Sequence, residues 1–381
     1  MTVWSLGLAL LWVIFLLAEQ VLLRRARKAV PFRVLVTGTR GKSSLVRLLV
    51  AGARAAEPST WGKITGDLPT LLCPEGDRLI NRRGPACVGE QARLLMTCRK
   101  RNVRCLVVEA MTISPELMKA EAQLMAPSVV ALVNVRDDHQ ETLGPDAGLQ
   151  RKAYLDSLPA GVRWVSHDSG LPENGDCGVR VRRERSSSPS ETDWMIGLDP
   201  LQRELAELAD DVLAVLGWST SESRTAVAAA ALQIRNTPRT LVGRGREFTF
   251  LDGFSANDPE SLERLWGAWR SASTTNRTWS VLMSTRADRP LRTSRFCEWV
   301  SGRNDVDRVY VSGSHRQAAS MLLRRRGVDV VDVGESPRHW GFFEHDDEGD
   351  RETGLGVLVG VGNAKGLGLQ MRSLTAGGGD S

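Results

Sequence analysis

The sequence predicts an α/β protein in which two domains with doubly wound, mostly parallel sheets follow one N-terminal apolar helix. Short β-rich apolar runs alternate with stretches of helical periodicity from residue 31 to about 370. A chain of 381 residues suits two domains, and its 42% hydrophobic content supplies real cores. We expect a membrane anchor with a basic juxtamembrane segment over 1–30, α/β domains over 31–240 and 241–370, and a disordered Gly-rich tail over 371–381.

The N-terminal segment is apolar over residues 3–23 apart from Ser5, Glu19 and Gln20, which is close to the ~20 residues that span a bilayer. Four basic residues within 24–28 follow it and none precedes it, so the positive-inside rule places the rest of the chain in the cytoplasm. A cleaved signal peptide and an amphipathic surface helix are the alternatives, but the usual basic leader and small-residue cleavage site are missing. We expect a single-pass protein of the cell membrane with cytoplasmic catalytic domains.

The composition argues against other classes of protein. The formal net charge is +5, and no basic and aromatic stripe accompanies it, so we expect no nucleic-acid partner. The six cysteines are scattered without a Cys-x-x-Cys pair, which predicts free thiols in a reducing compartment.

Residues 33–44 read as a buried strand that runs into a glycine turn and then a helix over 45–55. Such a turn points consecutive N–H groups at one spot, where the helix presents its positive end. Lys42 would reach the terminal phosphates of a nucleotide, and the Ser43 hydroxyl would bind Mg²⁺. Val36 stands where the general phosphate-loop pattern has its first glycine, so a plain tight turn is the alternative. We expect the nucleotide to be bound by Gly38, Thr39, Arg40, Gly41, Lys42, Ser43 and Ser44.

Two further polar residues follow predicted strands. Glu109 ends the apolar run 104–108, and the carboxyl ends of strands in α/β folds face the ligand crevice. A buried carboxylate there is costly unless a cation offsets it, so Glu109 is a candidate metal ligand, with a surface turn as the alternative. His139 follows the next strand, 128–134, in the same layer as Lys42 and Glu109.

The string from Val36 to Ser44 resembles the ATP loop of the Mur ligase superfamily, which also lacks that first glycine. Arg40, the Glu-Ala-Met at Glu109 and the segment 134–139 resemble one branch, the ligase subunits of poly-γ-glutamate synthases that make up the capsule-biosynthesis B component. The resemblance implies a P-loop Mur-ligase-like central domain and a smaller Rossmann-like C-terminal domain. It also implies that Glu109 and His139 hold magnesium together with Ser43.

The same resemblance extends to weaker motifs in the first domain. Residues 61–66 contain a Lys-x-Thr-Gly stretch that we expect to form a loop near the nucleotide and the acceptor. Lys152 lies on a predicted helix over 145–157, at close to the family spacing after His139. It corresponds to a lysine that many Mur ligases carbamylate at the metal site, and a solvated helical lysine is the equal alternative.

Two amphipathic helices over 200–216 and 221–234 are expected to end the first domain, and 239–246 reads as the boundary. Arg244 and Asp252 resemble the superfamily motif that links the domains and contacts the nucleotide. The motif is one residue longer here, so either Asn257 or Asp258 could fill the adenosine role, and helix capping before Pro259 is the alternative. The second domain continues with strands at 247–251, 279–283, 307–311 and 356–361.

The resemblance implies an ATP-dependent amide ligase that activates a carboxylate as an acyl phosphate, releases ADP and joins glutamate units into poly-γ-glutamate at the membrane. Its implied cofactors are ATP and Mg²⁺, and its catalytic residues are Lys42, His139 and Lys152. The expected partners are glutamate, the polyglutamate chain and a small integral membrane subunit, while self-association into a homo-oligomer stays open. The chain has no room for the domain that grips a nucleotide-linked sugar, so we expect another acceptor. A folylpolyglutamate-type ligase and a membrane-tethered P-loop ATPase remain the rival interpretations.

Overall fold

The computed structural model describes residues 3–66, 69–82, 84–136, 140–144, 146–172, 179–181, 193–198, 200–234, 239–243, 246–254, 256, 258–273, 279–334, 356–363, 367–368 and 370–371. The chain divides into two compact units, Met1–Arg235 and Asn236–Ser381. The helices are α1 Val3–Ala29, α2 Lys42–Ala56, α3 Gly89–Lys100, α4 Pro115–Met125, α5 Gln140–Leu143, α6 Ala147–Asp156, α7 Pro200–Val215, α8 Ser221–Gln233, α9 Pro259–Ala272, α10 Pro290–Ser301 and α11 Arg316–Arg325. The strands are β1 Phe32–Thr37, β2 Thr60–Ile64, β3 Thr70–Cys73, β4 Gly76–Leu79, β5 Cys105–Glu109, β6 Val129–Leu132, β7 Arg163–Val165, β8 Val179–Arg180, β9 Arg239–Gly243, β10 Arg246–Asp252, β11 Trp279–Thr285, β12 Val306–Gly313, β13 Val330–Asp332 and β14 Val357–Gly362.

The first unit is built on an eight-stranded sheet in the order β4-β3-β2-β5-β1-β6-β7-β8. Six neighbouring strands pair in parallel, in the order β2, β5, β1, β6, β7 and β8. At the edge next to β2, the strands β3 and β4 add an antiparallel hairpin. Side chains of β1 alternate between two cores, with Val34 and Val36 on the face of α2, α7 and α8, and Leu35 on the face of α3, α4 and α6. Helices therefore cover both faces of the sheet, as the sequence predicts.

The second unit is built on a six-stranded sheet in the order β13-β12-β11-β14-β10-β9. Its strands pair in parallel except for β9, which is antiparallel to β10. One core, which includes Val281 and Val359, packs under α9, α10 and α11, and Leu282 and Leu358 alternate to the other face. This is the α/β architecture expected for the C-terminal half.

Helix α1 is long and apolar enough over Gly7–Ala29 to cross a membrane, judged by length and composition. Its large apolar side chains are exposed as far as Leu22, whereas Leu23 and Ala26 are buried against the first unit. The Arg33 guanidinium donates hydrogen bonds to the carbonyls of Val30 and Ala126, and the latter lies at the end of α4. The C-terminal end of α1 is thus packed onto the folded unit.

The structure corrects several local expectations. Most of 61–66 is strand β2 and not a loop, because these residues pair between β3 and β5, and Gly62 fits closely against Val50 and Leu72. Arg239–Gly243 and Arg246–Asp252, which flank the expected boundary, pair as the antiparallel strands β9 and β10 of the second sheet, and the two units divide after Arg235. Strands β3 and β4 and helix α4 have no counterpart in the sequence-based prediction.

Candidate nucleotide-binding site

The phosphate loop follows β1 at the centre of the first sheet. Gly38 and Gly41 have φ values of +118° and +79°, which residues with a side chain rarely adopt. A Cβ at Gly38 would lie 2.8 Å from the carbonyl oxygen of Asn134, so the loop passes directly against the segment after β6. Thr39 N donates to that same oxygen at 2.9 Å, and Arg40 N donates to the Asn134 side chain at 3.1 Å. The strand, turn and helix of the predicted cradle are therefore present, and α2 begins at Lys42.

The side chains of Lys42 and Ser43, at the start of α2, have different partners. The Lys42 ammonium donates to the carbonyl oxygens of Gly38 at 2.7 Å and Thr39 at 3.2 Å, so its charge lies over the turn. The Ser43 hydroxyl donates to Glu109 Oε2 at 2.9 Å. The pairing of Val36 with Glu109 across β1 and β5 explains this contact, because the two parallel strands end side by side.

Glu109 is 5% exposed, and its Oε2 atom also accepts a hydrogen bond from Thr65 N at 2.9 Å. A buried carboxylate beside a hydroxyl offers the oxygen ligands that Mg²⁺ prefers, with water completing the shell. Within the described ranges no three His, Cys, Asp or Glu side chains cluster as a metal site. His139 lies outside the described residues, although the preceding Arg136 donates its N–H to Thr39 Oγ1 at 3.1 Å. Ser43 and Glu109 fit the role of cation ligands, and the role of His139 stays a prediction.

Lys152 lies on α6, on the surface of the first unit. Its side chain is 68% exposed, and its ammonium contacts Asp156 Oδ2 at 2.6 Å, one turn further along the helix. This geometry favours the alternative of a solvated helical lysine, and the carbamate role stays a prediction.

The expected nucleotide residues near the start of the second unit are only partly described. Arg244 and Asn257 lie outside the described residues. Asp252 accepts a hydrogen bond from Phe254 N at 3.1 Å. Asp258 is the N-cap of α9, where its two carboxylate oxygens accept hydrogen bonds from the N–H and hydroxyl of Ser261, each at 2.8 Å. The capping alternative is therefore present at Asp258, and whether Asn257 or Asp258 contacts the adenosine stays a prediction.

A buried polar network holds the segment after Glu109, and the sequence did not reveal it. Lys63 is 2% exposed, and its ammonium pairs with Glu90 Oε2 at 3.0 Å, whereas Thr65 and Gly66 of the same stretch lie close to Glu109 and Ser43. Gln91 donates to Glu121 Oε1 at 2.8 Å, and Glu121 accepts hydrogen bonds from Met111 N at 3.0 and 3.1 Å. Lys63 therefore acts as a buried structural cation in the wall beside Glu109. The partner that buries Lys63, Glu90, lies 27 residues away in the sequence, so the sequence carries no local signal for it.

The carboxyl ends of the parallel strands in the second unit also form a polar edge. Gly313 and Gly362 have φ values of +102° and +97°, and a Cβ at either would lie under 2.5 Å from a carbonyl oxygen of β11. Asn363 donates its side-chain amide to Ser284 O at 3.1 Å and accepts from Arg292 Nη1 at 3.2 Å. Arg286 makes two hydrogen bonds with Asp288 close by, at 2.7 and 2.9 Å. We call this set, Arg286, Arg292 and Asn363, the arginine edge.

Part of this chain is similar to a known protein family, and the chain is similar to two proteins of known name. Residues 238–377 match the family described as the poly-gamma-glutamate synthase CapB C-terminal domain. The chain is 26% identical over 302 residues to the capsule biosynthesis protein CapB of Bacillus anthracis. The matched region covers 74% of this chain and 63% of that protein, which is just under two thirds of its length. It is 27% identical over 285 residues to the PGA synthase CapB of Bacillus subtilis, covering 70% of this chain and 71% of that protein.

Solved structures show the same fold at lower identity. Escherichia coli FolC in complex with ADP superposes with a TM-score of 0.64 at 17% identity, covering 94% of this chain and 93% of that one. Mycobacterium tuberculosis folylpolyglutamate synthase complexed with ADP and AMPPCP gives a TM-score of 0.63 at 16% identity, covering 97% and 98%. A Yersinia pestis folylpolyglutamate synthase/dihydrofolate synthase complexed with AMPPNP and Mn gives 0.62 at 17%, covering 93% and 92%. The C-terminal part of this chain is therefore similar to the CapB C-terminal domain, the chain is similar to two CapB proteins over 70–74% of its length, and it has the Mur-ligase-type fold of the folylpolyglutamate synthases.

Proposed function

We propose that this protein is an ATP-dependent ligase that joins glutamate units into poly-γ-glutamate at the cytoplasmic face of the membrane. The observation that carries the proposal is the contact of Ser43 with the buried Glu109, next in the chain to the lysine of a glycine loop. That arrangement suits a triphosphate and its cation, and the names of the related CapB proteins supply the class of substrate. Without the similarity to the CapB proteins, the phosphate loop alone would support only the proposal of an ATPase.

The proposed reaction solves a leaving-group problem. An amine cannot displace oxide from a carboxylate at neutral pH, so a carboxylate oxygen first attacks the γ-phosphorus of ATP and the bond to ADP breaks. The amine of the next glutamate then attacks the acyl carbon, phosphate leaves with the bonding electron pair, and the amine loses one proton. Each amide bond thus consumes one ATP and yields one ADP and one phosphate.

The residues of the first unit would act on the charges of this reaction. The Lys42 ammonium and the N–H groups of the loop would stabilise charge on the transferred phosphoryl group. Ser43 and Glu109, with His139 as a predicted third ligand, would hold Mg²⁺. The bound cation would supply further neutralisation of the phosphate oxygens.

The incoming glutamate needs donors for its carboxylates, and the arginine edge of the second unit is our candidate. Guanidinium groups match carboxylates in fork geometry, and Arg292 is held in place through Asn363. We assign the edge the role of amino-acid binding, as distinct from phosphoryl chemistry.

The apolar helix α1 supports a location at the membrane, with both units in the cytoplasm. A polyanion made there has to leave the cell, so we include a small integral membrane subunit among the partners.

The experiment that tests the proposal measures ADP release by the full chain in detergent with each of the common amino acids in turn. We expect release that depends on glutamate and on Mg²⁺. ADP release that ignores every amino acid would support the tethered ATPase instead, and release that requires a folate acceptor would support the folylpolyglutamate type.

A further inference from the structure

A cavity of about 460 Å³ runs along one face of α2 in the first unit. Its volume lies in the range of about 300–1,000 Å³ that is typical of small-ligand pockets. Ser43, at the start of α2, is shared between this cavity and the contact with Glu109. The lining residues are Ser43, Ser44, Arg47, Val50, Ala51 and Arg54 of α2, Leu72 and Asp77 of the β3–β4 hairpin, and Ala230, Gln233 and Ile234 at the end of α8.

One guanidinium nitrogen of a residue that lines this cavity, Arg54 Nη2, has no acceptor among the described residues. This nitrogen is buried, while Nε of the same side chain donates to Thr60 O at 3.3 Å. Burial lowers the pKa of Arg54, against the raising effect of Asp77, Cys73 and Glu75. A buried charged donor without an acceptor is costly, so an anionic ligand that reached Nη2 would be bound favourably.

A second guanidinium group lies two turns earlier on the same face. Arg47 Nη1 contacts Asp77 Oδ2 at 3.0 Å, and the two side chains are 44% and 49% exposed. An exposed pair of this kind contributes only about 0–1 kcal/mol, so a ligand carboxylate could replace Asp77 at little cost. The seven residues from Arg47 to Arg54 correspond to about 10 Å along a helix. That spacing suits two anionic groups on one extended molecule better than it suits a single phosphate.

The wall between the two arginines is apolar, with Val50, Ala51 and Leu72. A ligand that matches both features carries carboxylates at intervals on short aliphatic arms. The nucleoside end of ATP offers only uncharged acceptors, which would neutralise neither guanidinium group. We propose that the cavity along α2 binds the carboxylates of the acceptor glutamate chain, with the end of the chain at Ser43. This assignment rests on the proposed ligase function.

The test is direct binding to the full chain in detergent, without turnover. A fluorescently labelled oligomer of γ-linked glutamate is titrated by anisotropy, and a fluorescent ATP analogue is titrated in parallel. Arg54→Met should raise the Kd of the oligomer about tenfold, because it removes the partly buried guanidinium, and Arg47→Met, at an exposed position, should raise it about two- to fivefold. The Kd of the nucleotide should stay within about twofold.

Two further variants sharpen the test. Asp77→Asn removes the carboxylate that competes for Arg47, so the oligomer should bind more tightly. Arg78→Met is the matched control, because Arg78 lies on the same hairpin with a 61% exposed side chain and is absent from the cavity lining, and its Kd should not change. If Arg54→Met failed to fold, the exposed positions Arg47 and Asp77 would still decide the matter.

The contradicting results are distinct. Weaker nucleotide binding with unchanged oligomer binding would assign the cavity to the nucleoside. Unchanged binding of both ligands in all variants, or a wild-type chain that does not bind the oligomer, would also overturn the proposal. Failure of the ligase function itself would appear as ADP release without glutamate dependence, which this binding experiment does not measure.

Discussion

The two units place different chemistry on the same architectural edge. Each ends its central parallel strands in left-handed glycines, and each fixes that edge through an asparagine, Asn134 in the first unit and Asn363 in the second. In the first unit the edge carries Lys42 and the buried Glu109, whereas in the second it carries the guanidinium groups of the arginine edge. The shared fold places the binding residues at the carboxyl ends of the strands in both units. In our proposal, the identity of those residues makes the first site suit a phosphate with its cation and the second suit a carboxylate.

The largest effect should come from Lys42→Ala in the first edge. Loss of the ammonium over the loop should lower glutamate-dependent ADP release by a factor on the order of a hundred or more, because in the proposed reaction that charge neutralises the transferred phosphoryl group. The far-ultraviolet circular dichroism should not change. Lys119→Ala, at an exposed position on α4, is the control and should keep its activity. Full activity in Lys42→Ala would show that the phosphate loop of the first unit takes no part in the reaction.

The next effect concerns the cation. Glu109→Gln keeps the size of the side chain but removes its charge, so the Mg²⁺ concentration needed for half-maximal activity should rise about 10–100-fold. Binding of ATP measured without metal should change much less. Glu116→Gln on α4, where the carboxylate is exposed, is the matched control. An unchanged Mg²⁺ requirement would exclude Glu109 as a ligand.

A substitution in the arginine edge of the second unit should change a different kinetic constant, the KM for glutamate. Arg292→Leu removes a guanidinium held by Asn363, so the KM for glutamate should rise about tenfold while the KM for ATP stays nearly constant. A rise in the KM for ATP alone would assign the arginine edge to the nucleotide, and the contrast between the two units would fail.

The smallest effect should come from Lys152→Ala. The ion pair with Asp156 is exposed, so its loss should change stability and activity little. A large loss of activity that formate or acetate partly restores would instead establish the carbamate role, because an added carboxylate would fill the vacated ligand position. This variant therefore decides between the two interpretations of Lys152.

The strand, turn and helix around Gly38 and Gly41 could be predicted from the sequence because apolar runs and glycines act locally. The pairing of Ser43 with Glu109 could also be predicted, since both follow parallel strands that are neighbours in the sheet. The hairpin of β3 and β4 could not, because its edge strand β4 is fully exposed and carries no apolar alternation. The buried state of Lys63 depends on Glu90, which lies 27 residues away, so no local pattern reports it.

The capping role of Asp258 shows the limit of motif transfer. The Asn-Asp-Pro string suited both a nucleotide contact and a helix start, and the structure places Asp258 at the helix start. Only the position of the carboxylate relative to Ser261 separates the two roles, and this is a property of the folded chain.

The central claim is that a carboxylate is activated by transfer of the γ-phosphoryl group of ATP. The most direct test supplies the full chain with ATP, Mg²⁺ and glutamate whose carboxylate oxygens carry ¹⁸O, and analyses the released phosphate by mass spectrometry. Acyl-phosphate formation transfers one carboxylate oxygen to phosphate with each amide bond, so we predict one ¹⁸O in each phosphate, along with γ-linked glutamate products. Phosphate free of ¹⁸O, released at a rate independent of glutamate, would contradict the account.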